Sequence, residues 1–265
     1  MAKAATDPKA DSAGPATRIP ASCFIIAMNE ADRIARTIDS VRDLVDEVVV
    51  IDSGSTDDTV KIAEDLGCKV LYRAWEGYGP QKRFGEAACR HDMVLNLDAD
   101  EVITPALAAE IRALFSGDGP QASFYRFRLL TVYPGDEKPR PLADYHNYIR
   151  LYDRRAGRFS ESAVHDLVDP GDHAVVQLKS TAWHYSYRSL SHLIEKLNGY
   201  TDLQAATARK SGPLLPVRIV FEMPLAFLKY YFLQRHFTGG VRGFVFAMPI
   251  AAFNVFRLAK LGRLV

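Results

Sequence analysis

The stretch Met93-Val94-Leu95-Asn96-Leu97-Asp98-Ala99-Asp100-Glu101 decides the reading of this chain. It opens as a short apolar run, the composition of a strand buried on both faces. It then switches at once to acids. Two carboxylates two positions apart at a strand end form a hard-oxygen pair suited to Mg²⁺ or Mn²⁺. A Mg²⁺ site of this kind uses one or two carboxylates and leaves the rest of the octahedron to water and substrate phosphate. Acids after a strand are common, so the weight of the motif rests on what lies upstream.

Residues 22–28, SCFIIAM, are a second apolar run, and Asn29-Glu30 follows it. Ile34, Ile38, Val41 and Leu44/Val45 then recur on one helical face. Residues 47–51, EVVVI, are β-branched and read as a buried parallel strand. That strand ends in Asp52-Ser53-Gly54-Ser55-Thr56-Asp57-Asp58. Thr56 is placed to cap a helix over 60–66, with Asp57 and Asp58 in its first turn, and Gly67 to end it. A strand over 69–72 and a helix over 78–89 complete the unit. Strands alternating with helices predict βαβ units in a parallel sheet. Such sheets bind ligands beyond the carboxyl ends of their strands. Asn29-Glu30, Asp52-Ser53 and Asp98 to Asp100 all lie at such ends, so one crevice should collect them. There is no G-x-G-x-x-G after the first strand and no G-x-x-x-x-G-K-[ST]. Phosphate would therefore be held by metal and cations, and Gln81-Lys82-Arg83 is the natural source of the latter.

The rest of the composition sets bounds. With 265 residues, 48% of them apolar, the chain suits one large domain or one domain with appendages. A net charge of +1 gives no argument for a nucleic-acid partner. Cys23, Cys68 and Cys89 are an odd number without tight spacing, which argues against a disulfide framework and against zinc. Residues 1–20 have no apolar h-region and read as a disordered leader. Residues 21–212 read as the main α/β domain, in two parts, about 21–116 and 117–212. Residues 132–145 are Pro-rich and charged, and predict a mobile loop ahead of a strand over 147–152. A helix is expected over 189–208.

The tail, 213–265, differs in kind. From 214 onward it has seven basic residues against Glu222 alone, +6, while the remainder of the chain carries −5. It is also rich in Phe and Tyr. Its longest uncharged run, 243–256, is shorter than the roughly 20 residues a bilayer span requires. An aromatic segment bounded by Arg242 and Arg257 predicts a helix lying in the membrane interface, its cations toward anionic head groups.

Ala27-Met28-Asn29-Glu30, Asp52 to Asp57, Gly79-Pro80-Gln81-Lys82-Arg83 and Asp98-Ala99-Asp100-Glu101 together resemble the family-2 glycosyltransferases of the GT-A fold. Val164-His165-Asp166, His184-Tyr185-Ser186, residues 196–200 and Thr238-Gly239-Gly240-Val241-Arg242-Gly243 extend the resemblance to the lipopolysaccharide-core β-1,4-glucosyltransferases. The resemblance implies an α/β GT-A fold and metal-assisted, inverting transfer of a hexose from a UDP-sugar. The acceptor would be lipid-linked or of lipopolysaccharide type, at the cytoplasmic face of a bacterial inner membrane. It also implies roles. Asp52 would accept a hydrogen bond from the uracil imide, with Asn29, Glu30 and Ser53 lining the nucleotide pocket. Gln81, Lys82 and Arg83 would lie near base or diphosphate. Asp98 would hold ribose or a metal-bound water, and Asp100 would ligate Mg²⁺ or Mn²⁺. Inversion calls for a base on the acceptor side. Asp166 is the first choice, although the subgroup has Glu there and Asp is one methylene shorter. Glu161 is the alternative, and His165 would bind diphosphate or orient the base. A polyprenyl-phosphate sugar synthase shares the upstream motifs and needs no base. A non-catalytic scaffold would have no use for the Asp98/Asp100 pair.

Overall fold

The computed structural model describes residues 17–162, 167–207 and 214–264. Strands β1 (Ile19–Ala27), β2 (Val45–Asp52), β3 (Lys69–Tyr72) and β4 (Met93–Asp98) alternate with helices α1 (Ile34–Val41), α2 (Thr59–Asp65) and α3 (Tyr78–Ala88). These four strands are mutually parallel, in the order β3-β2-β1-β4. Then come β5 (Glu101–Ile103), α4 (Pro105–Leu114), β6 (Phe124–Thr131), β7 (Tyr145–Asp153) and β8 (Val175–His184). They extend the sheet past β4 as β7-β6-β8-β5, with β7 antiparallel to β4. The sheet is therefore mixed, with a parallel half built from βαβ units.

The centre of the sheet is covered on both faces. Eight of the nine residues of β1 are buried, so it shows none of the alternation of a strand with one wet face. Ile25, Leu95 and Leu97 face one core with Ile34 and Ile38 of α1. Phe24, Val94 and Tyr152 face the other with Phe159. Fully burying a side chain such as Phe24 or Ile25 contributes about 1.5–3 kcal/mol, so this stripe fixes strand order before any polar contact does.

Local departures from the sequence reading have physical causes. α1 stops at Val41 because Val45 is taken by β2, in register with Ile19. β1 starts at Ile19, three residues earlier than expected, tied by its N–H to Leu44 O at 2.8 Å. Thr56 does not cap α2. Its N–H donates instead to Asn29 Oδ1 at 2.8 Å, while Asp57 Oδ1 accepts the Thr59 N–H at the helix start. α2 starts at Thr59 with Asp58 at its N-cap, which makes no side-chain capping bond, so Thr56 lies ahead of the helix start. The expected disordered leader lies, except for its last residues, outside the described residues.

Helix α5 (Leu190–Thr207) leads to the tail, which holds α6 (Leu215–Leu228), a π turn (Lys229–Leu233), a 3₁₀ turn (His236–Gly239) and α7 (Gly240–Leu261). The β6–β7 connection, expected to be free, docks on that tail. Tyr133 Oη and His236 Nδ1 share a hydrogen bond of 2.7 Å, and the Tyr133 ring stacks on Phe246 at 4.9 Å. Arg242 pairs with Asp136 at 2.7 Å, and Arg140 donates to Thr238 Oγ1 at 3.2 Å. The glycines of this junction make room for it: a Cβ on Gly243 would lie 1.8 Å from His236 O. The helix also runs on through Arg242 and Arg257. The resulting apolar segment His236–Leu261, 26 residues, is long and apolar enough to cross a membrane by length and composition, and one third of its apolar window is buried against the protein. The expectation that this segment is too short to span is corrected on that point, because the charges sit at the ends of one continuous helix.

Candidate active site

The carboxyl ends of β1, β2 and β4 meet in one crevice. Ala27 is in register with Asp52 across β1 and β2, and Ile26 with Asp98 across β1 and β4. The two loops after β1 and β2 are stitched together. Asn29 N–H donates to Ser55 Oγ at 2.9 Å and Glu30 N–H to Thr59 Oγ1 at 2.7 Å. Asn29 takes the left-handed conformation, φ 56°, which its short amide side chain tolerates better than most. Asp52 is buried and rigid: its Oδ2 accepts the N–H groups of Gly54 and Ser55 at 2.8 and 2.9 Å. Ser53 Oγ accepts from Gln81 Nε2 at 3.0 Å, which fixes α3 against the β2 end.

Asp98 is held between two cations. Lys82, with no exposed surface, places Nζ 2.9 Å from Oδ1, and Arg150 Nη2 lies 3.2 Å from Oδ2. Burial alone would raise the Asp98 carboxyl, but these two charges outweigh it and push it down. Arg150 also pairs with buried Glu101, whose carboxylate accepts the Asp98 N–H at 3.1 Å. For Glu101 burial dominates, and its carboxyl is pushed up to about 7.

Asp100 has a different environment. His184 Nε2 lies 3.4 Å from Oδ1, and Arg33 Nη1 and Lys196 Nζ lie 3.6 and 3.9 Å from Oδ2. Burial opposes its charge, yet His184, Lys196 and Arg33 hold the carboxyl well below the usual carboxylate range. Burial likewise works against an imidazolium at His184, and the Asp100 carboxylate reverses that and raises it. A carboxylate oxygen and an imidazole nitrogen are donors that a divalent cation takes once the imidazole is neutral. Among the described residues no three His, Cys, Asp or Glu side chains form a complete cage. The pair could therefore supply only part of a coordination shell, as expected where substrate phosphate and water complete it.

The segment after β7 packs against α3 beside the crevice. Gly79 N–H donates to Ser162 O at 3.0 Å, and a Cβ there would fall 2.2 Å from Ser160 O, so only glycine lets α3 and this segment touch. Glu161 is exposed and lies 3.6 Å from Arg83 Nη2. His165 and Asp166 lie outside the described residues. Glu86 anchors the segment: its Oε1 accepts from Tyr152 Oη and Phe159 N, and its Oε2 from Arg158 Nε. Phe159 in turn packs under Lys82, with Nζ 5.2 Å from the ring centroid.

Arg33, Glu86 and Arg150 had no signal in the sequence beyond being charged residues, whereas Lys196 begins the 196–200 stretch that carries part of the resemblance. His184 offered more, since it ends a ten-residue strand beside an acid-bearing turn. Lys82, expected near base or diphosphate, pairs with Asp98 in the same crevice.

The family model described as glycosyl transferase family 2 matches residues 22–166. The chain belongs to that family. This glycosyltransferase is 42% identical over 250 residues to an uncharacterized glycosyltransferase of Rickettsia felis, covering 91% of this chain and 88% of that one. A lipopolysaccharide core biosynthesis glycosyltransferase of Rhizobium meliloti, LpsC, is 28% identical over 251 residues, 92% of each chain. Among solved structures, glucosyl-3-phosphoglycerate synthase of Mycobacterium tuberculosis, in complex with Mn²⁺, UDP and glucosyl-3-phosphoglycerate, is similar at a TM-score of 0.35 and 28% identity. That match spans 44% of this chain and 45% of the synthase, less than half of either. The family-2 enzyme has a GT-A-type architecture, a mixed sheet flanked by helices with an apolar helix near its C-terminus.

Proposed function

We propose that this family-2 glycosyltransferase moves a hexose, glucose by subgroup resemblance, from a UDP-sugar to a lipopolysaccharide-core or lipid-linked acceptor at the cytoplasmic face of a membrane. The observation that carries the reading is the crevice itself. It joins a carboxylate held for a donor N–H (Asp52), a carboxylate neutralised by two cations (Asp98) and a carboxylate facing an imidazole (Asp100). Asp52 accepts three internal hydrogen bonds, of the roughly four sites a carboxylate offers, and the remaining one suits a uracil imide. Asp100 and His184 would hold Mg²⁺ or Mn²⁺, and Asp98 would face ribose or a metal-bound water. When bound, the metal neutralises charge developing on the departing diphosphate. Arg33 and Lys196, beside Asp100, would add positive potential on the same side. Asn29, Glu30 and Ser53 would line the nucleotide pocket, and Gln81 and Arg83 its α3 wall.

For the acceptor, Asp166 is proposed as the base, with His165 beside it. Glu161 suits the role less well, since it is exposed to solvent and turned to Arg83, 3.6 Å away. Attack would come from the face opposite UDP, with inversion.

The tail supports the membrane part of the reading. Val220, Leu225, Leu233 and Val241 are each more than half exposed, and aromatic rings at Phe221, Phe232, Phe237 and Phe244 lie among them. Apolar exposure on this scale, bounded by arginines, suits a lipid surface. The first test is metal-dependent UDP release across a panel of UDP-, GDP- and dTDP-sugars. Turnover of one UDP-sugar, abolished by Asp100→Asn, is expected. Turnover that persists with metal chelated would refute the metal assignment. Pelleting with anionic liposomes, full chain against a chain ending at Gly212, tests the tail; equal recovery of both would refute membrane docking.

A further inference from the structure

β6 alternates buried Tyr125, Phe127 and Leu129 with exposed Arg126 and Arg128. Positions two apart on a strand share a face and lie about 6.8 Å apart. Two arginines thus emerge from one face of the strand, and together they place positive charge there. Several arginines of the body have carboxylate partners, Arg33 with Glu30, Arg154 with Asp92, Arg158 with Glu86 and Arg188 with Asp32, while Arg36 lies over the Tyr185 ring and Arg112 donates to a backbone carbonyl. Among the described residues, neither Arg126 nor Arg128 has an ion pair. Yet outside the tail the chain carries more acids than bases, so partners were not scarce.

Arg126 lines a cleft of about 250 Å³ with Asn147, Tyr148, Arg150 and Leu167. The cleft touches the candidate active site, because Arg150 on its wall reaches Asp98. Leu167, which also lines the cleft, follows Asp166 in the chain. Tyr148 offers a ring to the same space and is stacked on His146 at 5.5 Å. Arg128, two residues along the same strand face, lies over the Tyr145 ring at 5.0 Å. Asn147 donates to Gln177 Oε1 at 2.8 Å, which ties β7 to β8 beneath Arg126.

We infer that this cleft is an acceptor subsite that holds an acid group, phosphate or carboxylate, on a sugar of the acceptor. Arg126 grips the anion, Arg128 strengthens the positive field beside it, and Tyr148 packs on the sugar ring. The planar guanidinium fork matches both oxyanions bidentately, which a lysine does not. Aromatic rings beside it suit the apolar face of a pyranose. The inference rests on the transferase reading and adds the chemistry of the acceptor to it. It also explains why the nearest cations, unlike Lys82 and Arg150, are left without internal carboxylates.

The test uses the full chain with saturating UDP and Mn²⁺, so that the donor site is filled. Mannose 6-phosphate, glucuronate and neutral mannose are titrated calorimetrically against wild type, Arg126→Gln and Arg126→Gln/Arg128→Gln. Binding of at least one acidic sugar, weakened tenfold or more in Arg126→Gln and further in the double variant, is expected, with neutral mannose weaker throughout. UDP affinity, measured in the same samples, should be equal in all three proteins. Equal affinity of acidic and neutral sugars, or of wild type and variants for the acidic ones, would overturn the subsite while leaving the transferase reading in place. Failure of wild type to bind UDP would overturn that underlying reading instead. A third arm measures pelleting with vesicles containing phosphatidylglycerol. If the double variant loses vesicle binding and keeps acidic-sugar binding, the arginines serve the membrane and the subsite is wrong.

Discussion

Replacing Glu86 by leucine should be among the most damaging single changes in this protein, although Glu86 touches no candidate substrate. Leucine preserves most of the volume, so the cost comes from stranded polar groups. Glu86 Oε1 accepts from Tyr152 Oη at 2.7 Å and from Phe159 N at 2.8 Å, and both donors are buried. An unsatisfied buried donor costs about 1–3 kcal/mol. Two of them give about 3–5 kcal/mol, after allowing for partial relaxation. The pair with Arg158 adds less, about 1 kcal/mol at most, because Arg158 is exposed to solvent. Tyr152→Phe is the contrasting change. It removes one donor and leaves Glu86 with Phe159 and Arg158, so about 1–1.5 kcal/mol is expected. Guanidinium unfolding followed by near-ultraviolet circular dichroism measures both. In the double variant the hydroxyl is no longer stranded, so its cost should fall short of the sum by about 1–2 kcal/mol. A Glu86→Leu loss below about 1 kcal/mol, or strict additivity in the double variant, would refute the reasoning. Activity provides a second check. Phe159 supports Lys82, so Glu86→Leu should lower donor turnover even at denaturant-free stability.

Lys82→Met leaves Asp98 with Arg150 alone and breaks a pair whose cation is wholly buried, so a stability loss of roughly 2–4 kcal/mol and a fall in UDP release are expected; thermal unfolding beside the UDP assay reads both. Gly243→Ala forces a Cβ against His236 O and should cost about 1–3 kcal/mol by overpacking, with weaker liposome recovery as α7 shifts; wild-type stability would show that the junction is slack. Acid should loosen the same junction. Burial lowers His236 below its ordinary value, so folding disfavours its protonation and stability is lost as pH falls below about 6.5. Burial would raise Asp144, but the Thr131 hydroxyl, His236 and Arg140 outweigh it and lower it, so a second loss follows as pH falls below about 3.9. Unfolding temperature against pH for wild type and His236→Gln checks the first step, which should be absent from the variant.

The parallel half of the sheet was legible in the chain because its signals are local. Continuous apolar runs such as 47–51 need cover on both faces, and β3 occurs where it was expected, at Lys69–Tyr72. The acids at three strand ends were legible for the same reason, since strand direction alone sends them to one edge. Helix ends were less so. Thr56 has the chemistry of a cap, and a partner 27 residues away, Asn29, took its N–H. The tail's composition announced an amphipathic helix, but its continuity through Arg242 and Arg257 needed the folded context.

By itself the sequence determined the βαβ order, the acid-bearing crevice and the basic, aromatic character of the tail. Each follows from periodicity or composition over a few residues. Only the tertiary structure decided which charges meet. Lys82 reaches Asp98 across 16 residues, Arg150 across 52, and His184 reaches Asp100 from the far end of β8. Long-range electrostatic partners depend on strand order and on the register of β7 against β4 and β6. No local pattern encodes either, because a buried arginine and a solvated one look alike in the chain until burial removes the water.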